Sequence, residues 1–583
     1  MGIQQDRMGK KQGDLARLLG GLKSSFMYVG FFSLFVNVLM LVPSLYMLQV
    51  YDRVMASRSG ETLLMLTLIV AWLFFTMGVL ELVRSRLLVR IGTKLDDALS
   101  SRLYSAIMTM AIKFPGKGSV QPLSDLTSIR QFLTGNAPFA FFDTPWIPIY
   151  IGVLFLFHPW FGWFSMFAAS LLIVIAIANN LVTRDRMKAA NNQYTKANAV
   201  ASAHVRNAEV IHAMGMEASL RESWLKQHLS FLREQSLASD QSGLWSNLSK
   251  VVRMLFQSLI LGVGAYLAIH NEITSGMLIA GSILMGRALA PIDQMISTWK
   301  QFGSARQAYE RLDGMLAALP ATDERLSLPA PQGSLQCENL SVLAPGTQNA
   351  VLRAVTFQVP AGETLVVLGP SAAGKSSLAR ALVGVWPAVA GKIRIDNADI
   401  NHWNREELGP YLGYLPQDVE LFEGTVAENI ARFGRVEPEK VHLAAQMAGV
   451  DSLVRRLPEG YDTPIGVGGV ALSGGQRQRI GLARALYGSP KIVVLDEPNA
   501  SLDEAGEAAL LRACQLLKEQ GTTLVLVTHR PGVVGIADKL LVLADGQVGM
   551  FGERDFVLKS LAQRKAAMNK SIADFSSHKS SAA

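Results

Sequence analysis

The stretch TLVVLGPSAAGKSSLARAL, residues 364–382, decides the fold of the C-terminal half of this chain. Five residues suited to a buried strand run into a glycine loop, and the loop runs into a helical pattern. Gly369, Gly374, Lys375 and Ser376 stand at the spacing G-x-x-x-x-G-K-[ST], with Pro370, Ser371, Ala372 and Ala373 between the glycines and Ser377 following. Glycine permits a backbone tight enough for successive amides to point at phosphate oxygens, and the helix N-terminus adds the positive end of its dipole. Lys375 is placed to reach β- and γ-phosphates, and the Ser376 hydroxyl to ligate Mg²⁺. The pattern therefore implies ATP and Mg²⁺. A chance glycine turn is disfavoured because a strand precedes the loop and a helix follows it.

Downstream, KIVVLDEP (491–498) is a buried-type strand ending in two carboxylates. Asp496 at the strand end suits the Mg²⁺ shell, and Glu497, one residue on, suits polarising an attacking water. Two adjacent acids after a strand are usually a turn or a cap, but the phosphate loop upstream favours the catalytic reading. A further apolar strand, TTLVLVTH, ends at His529, well placed to sense a γ-phosphate, although a lone histidine there is more often structural. LSGGQ, Leu472 to Gln476, carries no metal ligand, nucleophile, acid or base. Alone it reads as a turn feeding the basic helix RQRIGLARAL.

The N-terminal half is of another kind. Half of the 583 residues are apolar, 17% are charged, and the mean hydropathy is positive. Apolar runs occupy 31–48, 62–80, 144–157, 161–182, 251–269 and 275–292. A bilayer core needs about 20 mostly apolar residues per helix, so these runs predict six membrane spans, the third short and proline-bearing. The formal charge of +8 could suit nucleic acid, but the basic residues sit beside the apolar runs. Membrane lipid, and no nucleic acid, is the implied partner. Arg7, Lys10, Lys11, Arg17 and Lys23 precede the first span; Arg84, Arg86, Arg90, Lys94, Arg102, Lys113 and Arg130 lie between the second and third; Arg184, Arg186, Lys188 and Arg206 lie between the fourth and fifth. HPWFGW carries no lysine or arginine. The bias toward positive charge on the inner side places the N-terminus and both long loops in the cytoplasm. Those loops are helical in pattern, so the spans are expected to continue well beyond the bilayer. The first apolar run, beginning at Phe26, lacks a convincing small-residue cleavage site and reads as a retained span. Cys337 and Cys514 lie outside any metal-type spacing and read as reduced, structural thiols.

The expected organisation is an N-terminal cytoplasmic segment (1–25), a transmembrane domain (26–315), a proline-rich linker (316–334), an α/β nucleotide-binding domain (335–560) and a polar tail (561–583).

The phosphate loop, Gln417 in GYLPQDVELFEGTVAENI, LSGGQRQRIGLARAL, IVVLDEP, SLD and TH follow one another in the order found in ATP-binding-cassette transporters. Six spans followed by this domain resemble that family's exporter half-molecule over essentially the whole chain. The resemblance implies an all-α six-helix transmembrane domain of the type I ABC exporter fold, followed by an α/β P-loop nucleotide-binding domain. It places Gln417 in the Mg²⁺ shell with Ser376 and Asp496, and in the catalytic set with Glu497 and His529. It also gives LSGGQ a purpose: Ser473, Gly474, Gly475 and Gln476 complete the ATP site of a second copy of the chain. The small residues allow close approach to the γ-phosphate. One chain carries one set of motifs, so a homodimer with two sandwiched nucleotides is expected.

Within the family, PSLYMLQVYDRVMASRSGETL (43–63) and SGMLIAGSILMGRALAPIDQMI (275–296) resemble the type I secretion exporters, particularly the branch serving secreted proteases and lipases. That resemblance implies ATP-driven export of unfolded polypeptides from a bacterial inner membrane, with a periplasmic membrane-fusion adaptor and an outer-membrane channel. A half-exporter of lipids, drugs or short peptides would show the same motifs, and a membrane-anchored ATPase acting as sensor or gate is a third reading. About 25 residues precede the first span and the first cysteine is Cys337, so no cysteine-peptidase appendage is expected. Two positions depart from the family. Ala344 stands where an aromatic often stacks on adenine, and Val467 where many exporters place a glutamate. Arg287 in the sixth span is either functional or an arginine that snorkels or pairs with an acid such as Asp293. The Asp52–Arg53 pair is expected at the outer membrane boundary.

Overall fold

The structure, a computed structural model, describes residues 14–114, 118–319, 327–347, 349–466, 472–500, 502–528 and 530–563. The expectations placed on Arg7, Lys10, Lys11, Val467, His529 and the tail from 564 onward lie outside the described residues. The chain divides into two compact units, one helical and one α/β.

In the helical unit, six segments are long and apolar enough to cross a membrane: Lys23–Ser57, Gly60–Lys113, Ala137–Phe157, Pro159–Arg206, Glu217–Ile269 and Ser275–Ala318. The second, fourth, fifth and sixth run to 54, 48, 53 and 44 residues. At about 1.5 Å per residue, such helices reach roughly 65–80 Å, against a hydrocarbon core of about 30 Å. The surplus length is the polar, helical continuation read from the loops. The third span starts earlier than its apolar run. The helix Ala137–Asp143 and the 3-10 turn Thr144–Trp146 lead into the helix Ile147–Phe157, with Pro138, Pro145 and Pro148 at the helix starts, where a missing N–H costs nothing. Tyr150, Phe161, Leu172, Ile260, Leu284 and Leu289 form a core shared by the third to sixth spans.

The first span is broken by a π-helical turn at Val50–Val54. It presents Asp52, whose carboxylate accepts from Thr274 Oγ1 at 2.6 Å and from the Gly276 amide at 2.9 Å. Thr274 is itself the N-cap of the sixth-span helix. The expected boundary residue is thus a tether between the first span and the start of the sixth.

Two polar positions correct the sequence reading. Arg84, counted among loop charges, lies inside the helix Gly60–Lys113 and is 4% exposed. It donates to Asp143 Oδ1 at 3.1 Å and to Ser33 Oγ at 3.2 Å, and its guanidinium covers the Phe139 ring at 4.2 Å. Asn37 Nδ2 donates to the same Asp143 oxygen at 2.8 Å, and the Tyr150 hydroxyl donates to Asn37 Oδ1 at 2.9 Å. The first three spans therefore share one buried polar network. Asp293, offered as a partner for Arg287, instead pairs with Arg253 and accepts from Ser249 Oγ at 2.9 Å. Arg287 is exposed.

The α/β unit is built on β1 (Leu335–Leu343), β2 (Ala350–Val359), β3 (Thr364–Leu368), β4 (Ala390–Ile395), β5 (Ala398–Asp399), β6 (Leu412–Leu415), β7 (Gly424–Thr425), β8 (Pro464–Ile465), β9 (Ile492–Asp496), β10 (Thr523–Val527), β11 (Lys539–Ala544) and β12 (Gln547–Glu553). A sheet of order β2-β1-β4-β5 is antiparallel. The larger sheet, β12-β11-β3-β10-β9-β6, is parallel except for the β11–β12 hairpin. Its central strands β9 and β10 are buried at every position, as continuous Val/Ile/Leu runs require when both faces are covered. Cys337 and Cys514 are free and buried. Burial pushes both thiols up, that of Cys514 to about 12, which leaves them unreactive.

Candidate active site

Four parallel strands end on the same edge of the large sheet, the edge at which open α/β sheets bind ligands. Val367 of β3 is level with Val527 of β10, Val527 with Asp496 of β9, and Leu495 of β9 with Leu415 of β6. Register alone therefore brings together the phosphate loop after β3, Asp496 and Glu497 at the end of β9, and Gln417 after β6.

The loop wraps in the shape its glycines allow. Gly369 has φ 155° and Gly374 φ 94°, and a Cβ on Gly369 would lie 2.4 Å from the Leu543 carbonyl oxygen. Pro370 and Ser371 are exposed, Ala372 adopts φ 65°, and the Ala373 amide turns back to the Pro370 carbonyl at 3.3 Å. Lys375, 6% exposed, opens the helix Lys375–Leu382 and donates from Nζ to the Gly369 and Pro370 carbonyls, both at 2.9 Å. Its ammonium is thus held over the loop that would receive phosphate. Ser377 follows, half-buried, on the first turn.

Ser376 Oγ donates to Asp496 Oδ1 at 3.1 Å. Asp496 is fully buried, and its second oxygen, Oδ2, has no hydrogen-bond partner among the described residues. Burial raises the pKa of this carboxyl, the Ser376 hydroxyl opposes the rise, and the charge of Glu497 adds to it. A buried carboxylate oxygen without a donor, beside a serine hydroxyl, is a hard-oxygen pair that fits Mg²⁺, an ion that takes one or two protein oxygens and completes its shell from phosphate and water. Among the described residues no larger metal-ligand cluster exists.

Glu497 sits at φ 49°, its amide bonded to the Val527 carbonyl at 2.9 Å. This left-handed residue turns the chain off β9 and away from Asp496, so the two acids serve different places. Gln417 Nε2 donates to Glu497 Oε2 at 3.1 Å.

This arrangement matches known proteins at both ends of the chain. Residues 352–500 match the ABC transporter family, and residues 26–290 match the ABC transporter transmembrane region. Over 550 residues, 94% of each chain, the sequence is 44% identical to the type I secretion system ATP-binding protein PrsD of Rhizobium meliloti. The chain belongs to the ABC transporter family. It is also 29% identical over 534 residues to the cyclolysin secretion/processing ATP-binding protein CyaB of Bordetella pertussis, covering 90% of this chain and 75% of that one. The fold matches a bacterial Atm1-family ABC exporter with ATP bound, at a TM-score of 0.79 and 22% identity, over 94% of this chain and 99% of that one. This ABC transporter is a multi-pass membrane protein that binds ATP and couples its hydrolysis to transport.

The transporter's signature helix, Gly474–Leu486, begins with a capping box: Ser473 Oγ accepts from the Gln476 amide at 3.3 Å, and Gln476 Oε1 accepts from the Ser473 amide at 2.8 Å. Ser473 and Gly474 are exposed, and no hydrogen bond joins them to the phosphate loop. Two residues that sequence reasoning missed tie this helix to the hydrolytic edge. Gln478, 4% exposed, donates to the Pro498 carbonyl at 3.1 Å and to the Glu497 carbonyl at 3.4 Å. Arg479 pairs with Asp503, which caps the helix Glu504–Glu519 through the Gly506 amide at 2.9 Å. A polar residue on the buried face of an amphipathic helix was the signal for Gln478.

Ala344 follows β1 in the turn to β2. The start of β2 lies against the phosphate loop, with the Val351 carbonyl oxygen 3.0 Å from where a Gly374 Cβ would stand. Ala344 is half-buried, its amide bonded to the Asn349 carbonyl at 3.2 Å.

Proposed function

We propose that this transporter is the ATP-driven translocase of a type I protein secretion system. In this reading it exports unfolded polypeptides of the protease and lipase kind from a bacterial inner membrane. It acts as a homodimer, with a periplasmic adaptor and an outer-membrane channel, and its N-terminus and nucleotide-binding domain face the cytoplasm. The observation that carries this reading is the 44% identity, end to end, to a protein named for type I secretion. The absence of lysine and arginine from HPWFGW, against the basic stretches on the other side, supports the orientation.

The proposed roles are supported by the geometry for the described residues and by the family resemblance for His529 and the partner's Ser473. The phosphate-loop amides and Lys375 hold the β- and γ-phosphates, Lys375 exchanging its two loop carbonyls for phosphate oxygens. Ser376, Asp496 and Gln417 are the protein groups that would hold Mg²⁺, which when bound neutralises charge building on the phosphates. Glu497 takes a proton from the attacking water, and Gln417 orients it. His529 is assigned to the γ-phosphate. The partner subunit's Ser473, with the amides of the signature glycines, closes the site.

The test compares proteins in the medium of cells lacking this chain with those of cells supplied with the unaltered chain or with Glu497→Gln. Secreted polypeptides should vanish in the deletion and return only with the unaltered chain. An unchanged set of secreted proteins, with an altered lipid or small-molecule profile, would overturn the reading.

A further inference from the structure

Arg432 lies outside every motif of the ATP site, yet its side chain joins two parts of it. It follows the helix Val426–Ile430 and adopts φ 57°, as does Phe433 after it. Two successive left-handed residues other than glycine persist only where their surroundings fix them. Here they turn the chain so that the Arg432 guanidinium reaches back between the signature helix and β6. Nε donates to the Arg484 carbonyl at 2.9 Å and Nη2 to the Ala485 carbonyl at 3.0 Å. Nη1 donates to the Gly409 carbonyl at 2.7 Å and to the Leu412 carbonyl at 3.1 Å. Arg484 and Ala485 belong to the last turn of the signature helix, whose final carbonyls find no partner within the helix. Gly409 begins the 3-10 turn Gly409–Tyr411, and Leu412 begins β6. A cation suits the negative end of the helix dipole, although burial and the neighbouring Arg484 charge lower its pKa. Only a planar fork meets carbonyls of both elements at once; a lysine ammonium does not.

The same helix touches the chain on both sides of Gln417. A Cβ on Gly413 of β6 would collide with the Ala485 carbonyl oxygen. A Cβ on Gly481 would stand 2.5 Å from Val419 Cγ1 and 3.1 Å from Leu415 Cδ1. Beyond Gln417, Arg484 Nη2 donates to the Glu420 carbonyl at 3.1 Å, and its guanidinium covers the Phe422 ring at 5.4 Å. The helix and the strand that delivers Gln417 are thus keyed together along their length. Arg432 pins them at the end roughly 20 Å from Ser473, by the rise of the helix.

We propose that Arg432 is a positioning residue through which the two ATP sites of the dimer communicate. Seating of the exposed Ser473 end in the partner subunit's ATP site moves the signature helix. Arg432 carries that movement to β6, and so sets the bond of Gln417 to Glu497 in the chain's own site. The proposal rests on the reading that Ser473 serves the partner subunit's site.

The test follows hydrolysis against ATP concentration in the full-length dimer in nanodiscs. The unaltered protein should show a Hill coefficient above one. In Arg432→Lys, which keeps the charge without the fork, and in Arg432→Gln, it should fall to about one. In both, kcat should drop roughly tenfold or more while the half-saturating ATP concentration barely changes. Misfolding of part of the sample would lower kcat and leave the coefficient as it was, so an unchanged coefficient would overturn the proposal. A coefficient of one in the unaltered protein would do the same. So would failure of both variants to give a nucleotide-binding dimer, which would make Arg432 a residue of the fold alone. Mixed dimers with Lys375→Ala on one chain and Ser473→Arg on the other separate the two readings. If they keep no intact site, the shared-site reading fails and this proposal with it. If they keep one while the coefficients above are unchanged, only the role of Arg432 falls.

Discussion

Gln417 Nε2 donates to Glu497 Oε2 at 3.1 Å across 80 residues of sequence. The bond joins the segment after β6 to the end of β9, and it fixes the orientation of the carboxylate proposed as general base. Glu497→Gln keeps the shape and removes the basicity. We expect nucleotide binding to survive, turnover to fall by about 10²–10⁴-fold, and the nucleotide-clamped dimer to accumulate. ATPase assay with size-exclusion chromatography reads both, and near-normal turnover in this variant would remove Glu497 from the role.

The phosphate loop, Asp496 and Glu497 were legible in the sequence because each is a local string whose strand or helix context is also local. Gln417 and Ser473 came through family resemblance, since nothing in their own neighbourhood marks them. Arg84 was misplaced for a physical reason. A single arginine just past an apolar run looks like a boundary charge, and its partner Asp143 lies 59 residues away behind another helix. The Asp52–Thr274 bond, spanning 222 residues, is of the same kind. Helical periodicity gives the face a residue occupies but not which helix covers it.

Asp496 yields a pH prediction. Burial, opposed by the Ser376 hydroxyl and reinforced by the Glu497 charge, raises its pKa above the usual carboxylate range. A raised folded-state pKa means that this group's contribution to the stability of the metal-free fold is full below the ordinary aspartate pKa. It is lost as pH rises through the raised value. Holding Mg²⁺ needs the carboxylate, so the linkage for binding has the opposite sign. Affinity for Mg²⁺ with a non-hydrolysable ATP analogue should climb with pH through the same window and level off above it. Calorimetric titration against pH should show this climb in the unaltered protein and a flatter profile in Asp496→Asn. A flat profile in both would contradict it.

The small side chain at Ala344 predicts loose base selectivity. Base–aromatic stacking is worth about 1–3 kcal/mol, and an alanine side chain supplies none of it. GTP should therefore support hydrolysis with kcat/KM within about threefold of ATP, whereas loss of a stack worth that much would shift affinity roughly 5- to 150-fold. Ala344→Tyr should tighten nucleotide binding. A strong ATP preference in the unaltered protein would show that another aromatic stacks on the base.

Removing one member of the Arg84–Asp143 pair leaves a buried charge alone. Arg84 and Asp143 are 4% and 7% exposed, and Asn37 and Ser33 complete the network around them. Breaking a buried pair from one side costs about 3–5 kcal/mol, whereas replacing both members with apolar residues costs far less. Arg84→Leu and Asp143→Leu should each lower the thermal midpoint of the detergent-solubilised protein, and the double variant should recover much of the loss. Additive losses in the double variant would mean that the two side chains act independently.

The signature helix provides the last prediction. Ser473 and Gly474 are exposed at its N-terminus, while Gln478 and Arg479 fasten the same helix to the Glu497 and Asp503 segments of its own chain. If the exposed end serves the ATP site of the partner, a lesion in Lys375 and a lesion in Ser473 fall in the same site only when they lie on different chains. A mixed dimer with Lys375→Ala on one chain and Ser473→Arg on the other should then keep one intact site, with ATP binding and partial hydrolysis. A dimer with both lesions on one chain and an unaltered partner should have both sites damaged, one by each lesion. Purified tagged heterodimers, assayed for bound nucleotide and phosphate release, separate the two arrangements. Equal behaviour, or the reverse order, would end the shared-site reading and leave LSGGQ as the turn that starts a helix.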